Sequence, residues 1–300
     1  MSSRSAAVVV TYEPDLESLL RLTAQLSNQA QMLFIVDNAS SNAAHWVAQV
    51  EKDTCRVIHL TVNMGIAHAL NVGFQAAHAL PQVEFCAIFD QDSDLSADLI
   101  DRLEGYQDQL RKRGPVAQIG PYFYEHNREQ FLPFIEFKRG VPRRKYDAGG
   151  GTWTTADYLI SSGSLISIDA IRAIGDLDET LFIDYVDIEW GLRAKAKGYQ
   201  SYGAYDVRMD HRIGDAALDV AGVKLAMHKP LRRYYYYRNA LLLCRRPYIP
   251  LMWKINECVR LGAKFFIFGA LSPRRRADLS MMIQGIKDGL RGVSGKFDHH

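Results

Sequence analysis

Three aspartates follow a short apolar segment at alternating positions. The segment Phe85–Phe89 has the length and composition of a buried strand, and Asp90, Asp92 and Asp94 come directly after it. Alternate residues of an extended chain project to one side, so these carboxylates would lie together if the strand continues. Clustered carboxylates repel each other unless a divalent cation lies between them. The pattern predicts either a divalent-metal site or a solvated acidic loop.

A second group of carboxylates and a lone histidine lie in the other half of the chain. Asp184, Asp187 and Glu189 precede a helical segment that a glycine ends at Gly198. Carboxylates near a helix start are favoured by the helix dipole, so some of these are expected to be structural. A carboxylate whose pKa is set by burial and neighbours can instead act as a general base. His211 is either a polar residue with a partner or a metal ligand.

The elements that must position these side chains alternate between strand and helix patterns. The first strand is predicted over residues 6–12, the second over 32–36 and the third over 56–60, with helical spacing between them. This alternation predicts an α/β fold with a mainly parallel sheet. Ligands of such sheets bind beyond the carboxyl ends of the strands. Thr11, Asp37 and Asp90 all lie at that end of their own strands.

Other residues have two interpretations each. Asp37 could accept a hydrogen bond from the ring N–H of uracil or thymine, or cap a helix. Asn63 and Gly65 could bring the backbone close to a ribose or phosphate, because glycine permits close approach. The small residues at 162–164 could admit a sugar or form an ordinary turn. The segment from 114 to 153, rich in aromatic residues, proline and arginine, is predicted to be irregular.

Composition limits the function classes. A net charge of +2 over 300 residues is too small to indicate nucleic-acid binding. No charged-then-apolar leader is recognisable at the start, and no apolar segment reaches the roughly 20 residues that span a bilayer. Four widely separated cysteines without paired spacing are expected to be reduced thiols. These observations predict a cytoplasmic protein.

Lysine, arginine and aromatic residues become frequent from residue 224 onward. We therefore predict a first domain over 1–223, which carries the strand ends described above, and a basic, aromatic helical region over 224–300. Tyrosines mixed with cations suit a membrane interface, and amphipathic helices could rest on anionic lipid at the inner face of the cell membrane. The alternative is that these helices pack on the catalytic domain or on a second subunit, forming a homodimer.

Taken together, the motifs resemble those of family 2 glycosyltransferases, which have a nucleotide-diphospho-sugar-binding α/β fold of the GT-A type. Their order and spacing carry the resemblance, which runs from Val8 to about Asn239. It implies that 1–223 is the nucleotide-sugar-binding and catalytic domain. Within the family, Phe89 to Ser93 and the pair Arg238-Asn239 most resemble bacterial rhamnosyltransferases of O-antigen or related surface-polysaccharide assembly, which use dTDP-rhamnose. The matching segments are 9–12, 36–40, 63–65, 71–73, 89–93, 162–164, 182–193, 211–214 and 237–239.

The resemblance implies a role for each matching residue. Thr11, Glu13 and Asp37 would hold the nucleoside, with Asp37 on the pyrimidine, and Asp90 would contact the ribose. Asp92 would bind Mg²⁺ or Mn²⁺ against the diphosphate, His211 would join the metal or diphosphate, and Arg238 would steady the leaving phosphate. The family's usual Glu-Asp pair falls at Val186-Asp187, so Asp187 alone fits the base, and Asp184 and Glu189 compete with it.

These roles imply an inverting, metal-dependent transfer from a dTDP- or UDP-sugar to a polyprenyl-linked glycan. The divalent ion and Arg238 would neutralise the leaving diphosphate, and a carboxylate on the opposite face would take the acceptor proton. The alternatives are a transferase for another sugar, such as a UDP-hexose, and a non-catalytic nucleotide- or glycan-binding protein. A nucleotidyltransferase or a dinucleotide dehydrogenase would need a glycine-rich loop after the first strand, and Thr11 to Pro14 does not supply one.

Overall fold

The computed structural model describes residues 3–126, 129–138, 141–211, 216–220, 223–227 and 229–298; for 211, 216–220 and 223–227 it describes the backbone alone. The strands are β1 (Ser5–Thr11), β2 (Met32–Asp37), β3 (Cys55–His59), β4 (Phe85–Asp90), β5 (Val116–Glu125), β6 (Gln130–Phe131), β7 (Phe134–Lys138), β8 (Val141–Lys145), β9 (Trp153–Ala156), β10 (Leu165–Ser167), β11 (Gln200–His211), β12 (Ala216–Val220) and β13 (Val223–Met227). The α-helices are α1 (Leu16–Ser27), α2 (Ala43–Val50), α3 (Ile66–His78), α4 (Leu99–Arg111), α5 (Ile168–Ile174), α6 (Val186–Ala196), α7 (Pro230–Cys244), α8 (Leu251–Leu271) and α9 (Arg275–Arg291). A short 3₁₀ helix spans Glu179–Leu181.

One mixed sheet organises the molecule, with strand order β3-β2-β1-β4-β10-β5-β11-β9 and with β6 paired to β5. The first four strands in this order are parallel, and β5 is parallel to β11. The strand β10 runs antiparallel to both of its neighbours. The α/β fold with a mainly parallel sheet that the sequence predicts is therefore confirmed.

The central strands are buried on both faces, as their continuous apolar composition requires. All residues of β1 and β2 are buried. Val8 faces a core that includes Phe74 of α3, whereas Val9 faces a second core with Leu19 of α1 and Leu103 of α4. Helices therefore cover both faces of the sheet, and the carboxyl ends of the parallel strands meet at one edge.

The prediction of an irregular segment over 114–153 is wrong. This segment contains β5, the antiparallel pair β7 and β8, and the short strand β6. Nearly every residue of β5 is buried, so apolar and polar side chains do not alternate along it. Pro121 and Gly120 lie within the strand, and their presence conceals it in the sequence.

The C-terminal helices pack against the sheet domain. Tyr237 of α7, Trp253 of α8 and Phe268 of α8 belong to the same core as Val8. The boundary predicted at residue 223 falls on the first residue of β13. The division into a catalytic domain and a C-terminal region thus stays a prediction. Among the helices of the described residues, none has both the length and the apolar character needed to cross a bilayer.

Candidate active site

The ends of three adjacent strands bring the first predicted site residues together. Thr11 at the end of β1 is in register with Asp37 at the end of β2, and Val10 is in register with Asp90 at the end of β4. Strand pairing alone therefore places these three side chains at one edge of the sheet. This is the edge at which ligands bind in open α/β sheets.

Asp37 lies in a dense hydrogen-bond network. It is 1% exposed. The Thr11 hydroxyl donates to its Oδ1 at 3.1 Å, and the Ser40 backbone N–H donates to its Oδ2 at 3.1 Å. The ring Nδ1 of His59 lies 3.3 Å from the same Oδ2. These contacts hold the Asp37 carboxylate in one orientation, as a group that recognises a planar base must be held.

Glu13 joins the loops that follow β1 and β2. Its carboxylate accepts hydrogen bonds from the Ser41 backbone N–H at 2.7 Å and from the Ser41 hydroxyl at 3.1 Å. Its own backbone N–H donates to the Ser40 hydroxyl at 2.8 Å. Glu13 adopts a φ of +49°, which a non-glycine residue seldom does. The structure therefore gives Glu13 the position of a loop brace beside Asp37.

The loop before α3 connects the strand ends with the second carboxylate group. Asn63 accepts a hydrogen bond from the Gly65 backbone N–H at 3.0 Å, and the Ile66 backbone N–H donates to the Phe182 carbonyl at 2.8 Å. Gly65 has a φ of +89°, and a Cβ there would lie 2.4 Å from the Phe182 carbonyl oxygen. Only glycine allows the backbone at position 65 to come this close to Phe182. This contact fixes the start of α3 against the segment that leads to α6.

The alternation predicted for the three aspartates after β4 requires an extended chain, and this condition is not met. The chain turns directly after Asp90, and the extended conformation on which the alternation depends ends there. Asp94 accepts a hydrogen bond from Gln25 of α1 at 2.8 Å. Asp92 is exposed. The Asp90 backbone N–H donates to the Ser162 hydroxyl at 3.1 Å, so the 162–164 turn supports the end of β4.

The turn before α6 is unusual for residues other than glycine. Phe182, Asp184 and Tyr185 have φ values of +64°, +62° and +65°. Phe182 is the centre of a three-residue turn in which the Ile183 backbone N–H donates to the Leu181 carbonyl at 2.7 Å. Each such conformation costs about 1–3 kcal/mol and persists only where the surroundings enforce it. Strain of this kind is concentrated at functional sites, and Asp187 follows directly.

Asp187 differs from its two competitors in its surroundings. Burial, together with the nearby charges of Asp184 and Asp90, raises the pKa of the Asp187 carboxyl to about 6, against a smaller opposing effect of its hydrogen bond from the Ile188 N–H. The influence of Asp90 shows that the end of β4 and the start of α6 converge. A carboxylate with a pKa near neutral pH is suited to general-base catalysis.

The other two carboxylates are paired with arginines. Asp184 is bound by Arg232 of α7, whose Nη2 and Nε lie 3.0 Å and 3.1 Å from Oδ1. Glu189 is fully buried and paired with Arg193 at 2.8 Å, and it also accepts a hydrogen bond from Tyr248. Both groups therefore have structural partners, which makes them poor bases compared with Asp187.

Arg238 lies in a different position from the one that its predicted role requires. The side chain is 0% exposed, and its Nη2 donates to the Leu181 carbonyl at 3.0 Å and its Nη1 to the Gly295 carbonyl at 2.5 Å. Asn239 donates to the carbonyls of Leu181, Ile183 and Asp184 at 2.6–3.1 Å. We call these two residues the carbonyl clamp, because they hold the backbone of the strained turn. The predicted contact of Arg238 with a leaving phosphate is corrected accordingly, since its buried guanidinium is directed at backbone carbonyls.

Arg232 is the cation that sequence reasoning missed. Its side chain is 45% exposed. Burial tends to lower its pKa, but the charges of Asp184, Asp90 and Asp187 outweigh that effect and raise it. Arg232 therefore lies close to all three carboxylates, at the junction of both clusters. In the sequence it stands beside Arg233 in a basic segment, and nothing in that pattern separates one arginine from the other.

His211 ends β11, and its backbone pairs with Glu125 of β5. Its side chain lies outside the described part of the chain, so its role as a metal or diphosphate ligand stays a prediction. Within the described residues no cluster of three or more histidine, cysteine or acidic side chains could hold a metal ion by itself.

Comparisons with known proteins agree with this architecture. A family model described as glycosyl transferase family 2 matches residues 6–171. The chain is 34% identical over 298 residues to the dTDP-rhamnosyl transferase RfbF of Shigella flexneri, with 98% of each chain covered.

Two solved structures share the fold. A crystal structure of GalNAc-T7 with UDP, GalNAc and Mn²⁺ superposes with a TM-score of 0.57 at 11% identity, covering 97% of this chain and 56% of that one. A crystal structure of S. aureus TarS gives a TM-score of 0.54 at 13% identity, covering 98% and 49%. The chain thus spans about half the length of these two proteins. At such low identity the similarity concerns the fold.

Proposed function

Because the chain belongs to glycosyl transferase family 2, as its motifs predict, we propose that it is an inverting sugar transferase. The donor is dTDP-rhamnose, and the acceptor of the rhamnose is a lipid-linked glycan in surface-polysaccharide synthesis. The similarity to a dTDP-rhamnosyl transferase over the whole chain supports the donor. The observation that carries the mechanism is the position of Asp187, a carboxylate with a raised pKa close to Asp90.

The nucleoside of the donor would bind at the ends of β1 and β2. Asp37, oriented by Thr11 and Ser40, would accept the ring N–H of the thymine, and Glu13 would hold the two surrounding loops together. Asn63 and Asp90 would lie along the ribose and the diphosphate. A base without a ring N–H donor would leave the Asp37 carboxylate without this partner, which disfavours such nucleotides.

A divalent cation fits the residues beside the diphosphate. Asp92 is an exposed carboxylate at the end of β4, and oxygen ligands suit Mg²⁺ and Mn²⁺. One or two carboxylates with substrate phosphates are a common way to hold Mg²⁺, so a cluster of three protein ligands is not required. Asp92 and His211 would hold the ion. When bound, the ion supplies positive charge that stabilises the departing diphosphate.

Asp187 would take the proton from the acceptor hydroxyl as the hydroxyl oxygen attacks the anomeric carbon. The bond from that carbon to the diphosphate oxygen breaks in the same displacement, and the anomeric centre inverts. Arg232 lies close to Asp90 and Asp187. It would supply the positive charge beside the leaving diphosphate, which is the role that the family resemblance implies for Arg238.

The membrane would supply the acceptor, and α8 has a surface suited to lie on it. Trp253, Leu261 and Phe268 are buried, whereas an apolar stripe on the opposite side is exposed. The members of this exposed stripe are Leu251 (69% exposed), Ile255 (46%), Val259 (69%) and Phe266 (76%). An amphipathic helix with such a surface binds at the interface of a bilayer, near polyprenyl-linked glycans at the inner face of the membrane.

We expect the double substitution of Leu251 and Val259 by glutamate to abolish flotation with anionic vesicles, because it puts two charges into the apolar face. Val141→Glu on β8, where the side chain is 57% exposed, is the matched control and should float like the unaltered protein. If the unaltered protein does not float, or the double variant still does, membrane binding through α8 is contradicted.

Thermal-shift and turnover measurements test the donor and the metal. We expect dTDP-rhamnose with Mn²⁺ to raise the melting temperature by several degrees, since ligand at 100 times its Kd adds about 2.7 kcal/mol. UDP-hexoses should give a smaller rise. Asp92→Ala should lose the metal-dependent part of the shift, whereas Asp94→Ala, whose carboxylate contacts Gln25, should retain it.

Three results would contradict the proposal. A larger shift with a UDP-hexose would favour a transferase for another sugar. Shifts without any turnover, in the presence of acceptor lipids, would favour a non-catalytic binding protein. Equal metal-dependent shifts in the Asp92→Ala and Asp94→Ala variants would remove Asp92 from the metal site.

A further inference from the structure

Two cations of α8 lie one helical turn apart and contact the same tyrosine of α7. The Lys264 ammonium donates to the Tyr236 hydroxyl of α7 at 2.7 Å and lies 4.2 Å from the centre of that ring. The Arg260 guanidinium lies 6.0 Å from the same ring centre and is exposed at the surface. Tyr236 therefore gathers both cations into one group, which we call the Arg260–Lys264 pair.

The charges around this pair do not balance. Arg260 forms an ion pair with Glu257 at 2.6 Å, and Glu257 also accepts a hydrogen bond from Tyr185. Lys264 makes no ion pair with any side chain that the structure describes. Burial and the nearby charges of Arg260 and Arg233 lower the pKa of Lys264 to about 8, and the carboxylates of Glu257 and Asp184 offset only part of this effect. The group therefore has room for added negative charge.

The pair is close to Asp187 through two tyrosines. The rings of Tyr236 and Tyr185 have their centres 5.0 Å apart, and Tyr185 is the residue two positions before Asp187. Tyr158 lies close enough to both Arg260 and Asp187 for their charges to influence its pKa, which burial raises. An anion bound by the pair would thus lie near the turn that leads to Asp187, on a helix to which no donor contact is assigned.

The orientation of α8 distinguishes two phosphate sources. The exposed apolar stripe that would meet a bilayer lies on one side of the helix. Arg260 and Lys264 contact Glu257 and Tyr236, so they face the strained turn and α7. A lipid headgroup of the bilayer surface would approach the stripe, whereas a phosphate that enters the active site would meet the pair.

We infer that Arg260 and Lys264 bind the diphosphate of a lipid-linked acceptor and so direct its hydroxyl toward Asp187. Arginine and lysine form charge-assisted hydrogen bonds with phosphate oxygens, and a diphosphate would supply the negative charge that the pair lacks. This inference rests on the proposed function, because it requires an acceptor that carries a diphosphate.

The test measures the affinity for inorganic pyrophosphate by calorimetry in EDTA, where metal-dependent binding at the donor site is suppressed. We expect Lys264→Met and Arg260→Gln each to weaken binding about tenfold, and Arg260→Lys, which keeps the charge, to weaken it less. Lys287→Met on the exposed surface of α9 is the matched control and should bind like the unaltered protein. The melting temperature of each variant reports whether it is folded.

Pyrophosphate affinity unchanged in both Lys264→Met and Arg260→Gln would overturn the inference. So would a loss of flotation with anionic vesicles in Lys264→Met at unchanged pyrophosphate affinity, since the pair would then bind headgroups. The thermal shift with dTDP-rhamnose and Mn²⁺ should be the same in all variants. If the unaltered protein shows no such shift, the proposed donor fails while the pyrophosphate result stands by itself.

Discussion

Replacement of Asp187 by asparagine is expected to reduce turnover by about a thousandfold or more while donor binding is retained. Asparagine has nearly the same shape but cannot accept the proton of the acceptor hydroxyl, and general-base catalysis contributes about 10²–10⁴-fold. The measurement is turnover with dTDP-rhamnose and acceptor lipid, together with the donor-induced thermal shift. Full activity of Asp187→Asn would contradict the assignment of Asp187 as the base. A loss of turnover in Asp184→Asn but not in Asp187→Asn would contradict it as well.

The same residue predicts a pH dependence of kcat/KM. A base must be ionised to act, and the pKa of Asp187 is about 6 in the free protein. We expect kcat/KM to fall about tenfold for each pH unit below 6 and to level off above it. The residual kcat/KM of Asp187→Asn should not show this fall below pH 6.

Stability should change in the opposite direction from activity. Folding raises the pKa of Asp187 from about 4 to about 6, so the folded state retains a proton in that interval that the unfolded state has lost. The free energy of unfolding therefore falls as the pH rises from 4 to 6. Because one pKa unit corresponds to about 1.4 kcal/mol, the asparagine variant should be more stable by about 3 kcal/mol at pH 7.5, and below pH 4 this difference should disappear.

The strand ends follow from the sequence because local patterns determine them. The β-branched and apolar segments of β1, β2 and β4 stop at Thr11, Asp37 and Asp90, and parallel pairing brings such ends to one edge. The choice between Asp187 and its competitors depends on partners distant in the chain. Arg232 and Tyr248 lie 48 and 59 residues from the carboxylates that they contact.

The turn before α6 could not be predicted for a related reason. Phe182, Asp184 and Tyr185 give no local signal for positive φ, since none of them is glycine. The conformation is enforced from α7, where the aromatic ring of Tyr235 stacks on Phe182 at 5.1 Å and the carbonyl clamp holds the backbone. The pair Arg238-Asn239 matches a motif of the family. The direction of the Arg238 side chain, however, depends on packing that the local sequence does not show.

Replacement of Arg238 by methionine is expected to destabilise the fold by about 3–5 kcal/mol and to lower kcat. The guanidinium is fully buried, and its replacement would remove its hydrogen bonds to the carbonyls of Leu181 and Gly295 and to the side-chain oxygen of Asn239. Hydrogen bonds to charged groups contribute about 1.5–3 kcal/mol each, so the loss of two of them accounts for the expected change in stability. Chemical denaturation measures the first effect, and steady-state kinetics the second.

The kinetic pattern separates a clamp from a phosphate ligand. A clamp positions Asp187 through the strained turn, so its loss should lower kcat and leave the KM for the donor nearly unchanged. A ligand of the leaving phosphate would keep the stability and raise that KM. Arg232→Met is the matched comparison, because Arg232 is 45% exposed and its loss should cost less than about 1 kcal/mol of stability. If Arg238→Met were as stable as Arg232→Met, the role of Arg238 in the carbonyl clamp would be refuted. The strained backbone at 182–185 needs a partner that holds it, and Arg238 would then contribute nothing to holding it.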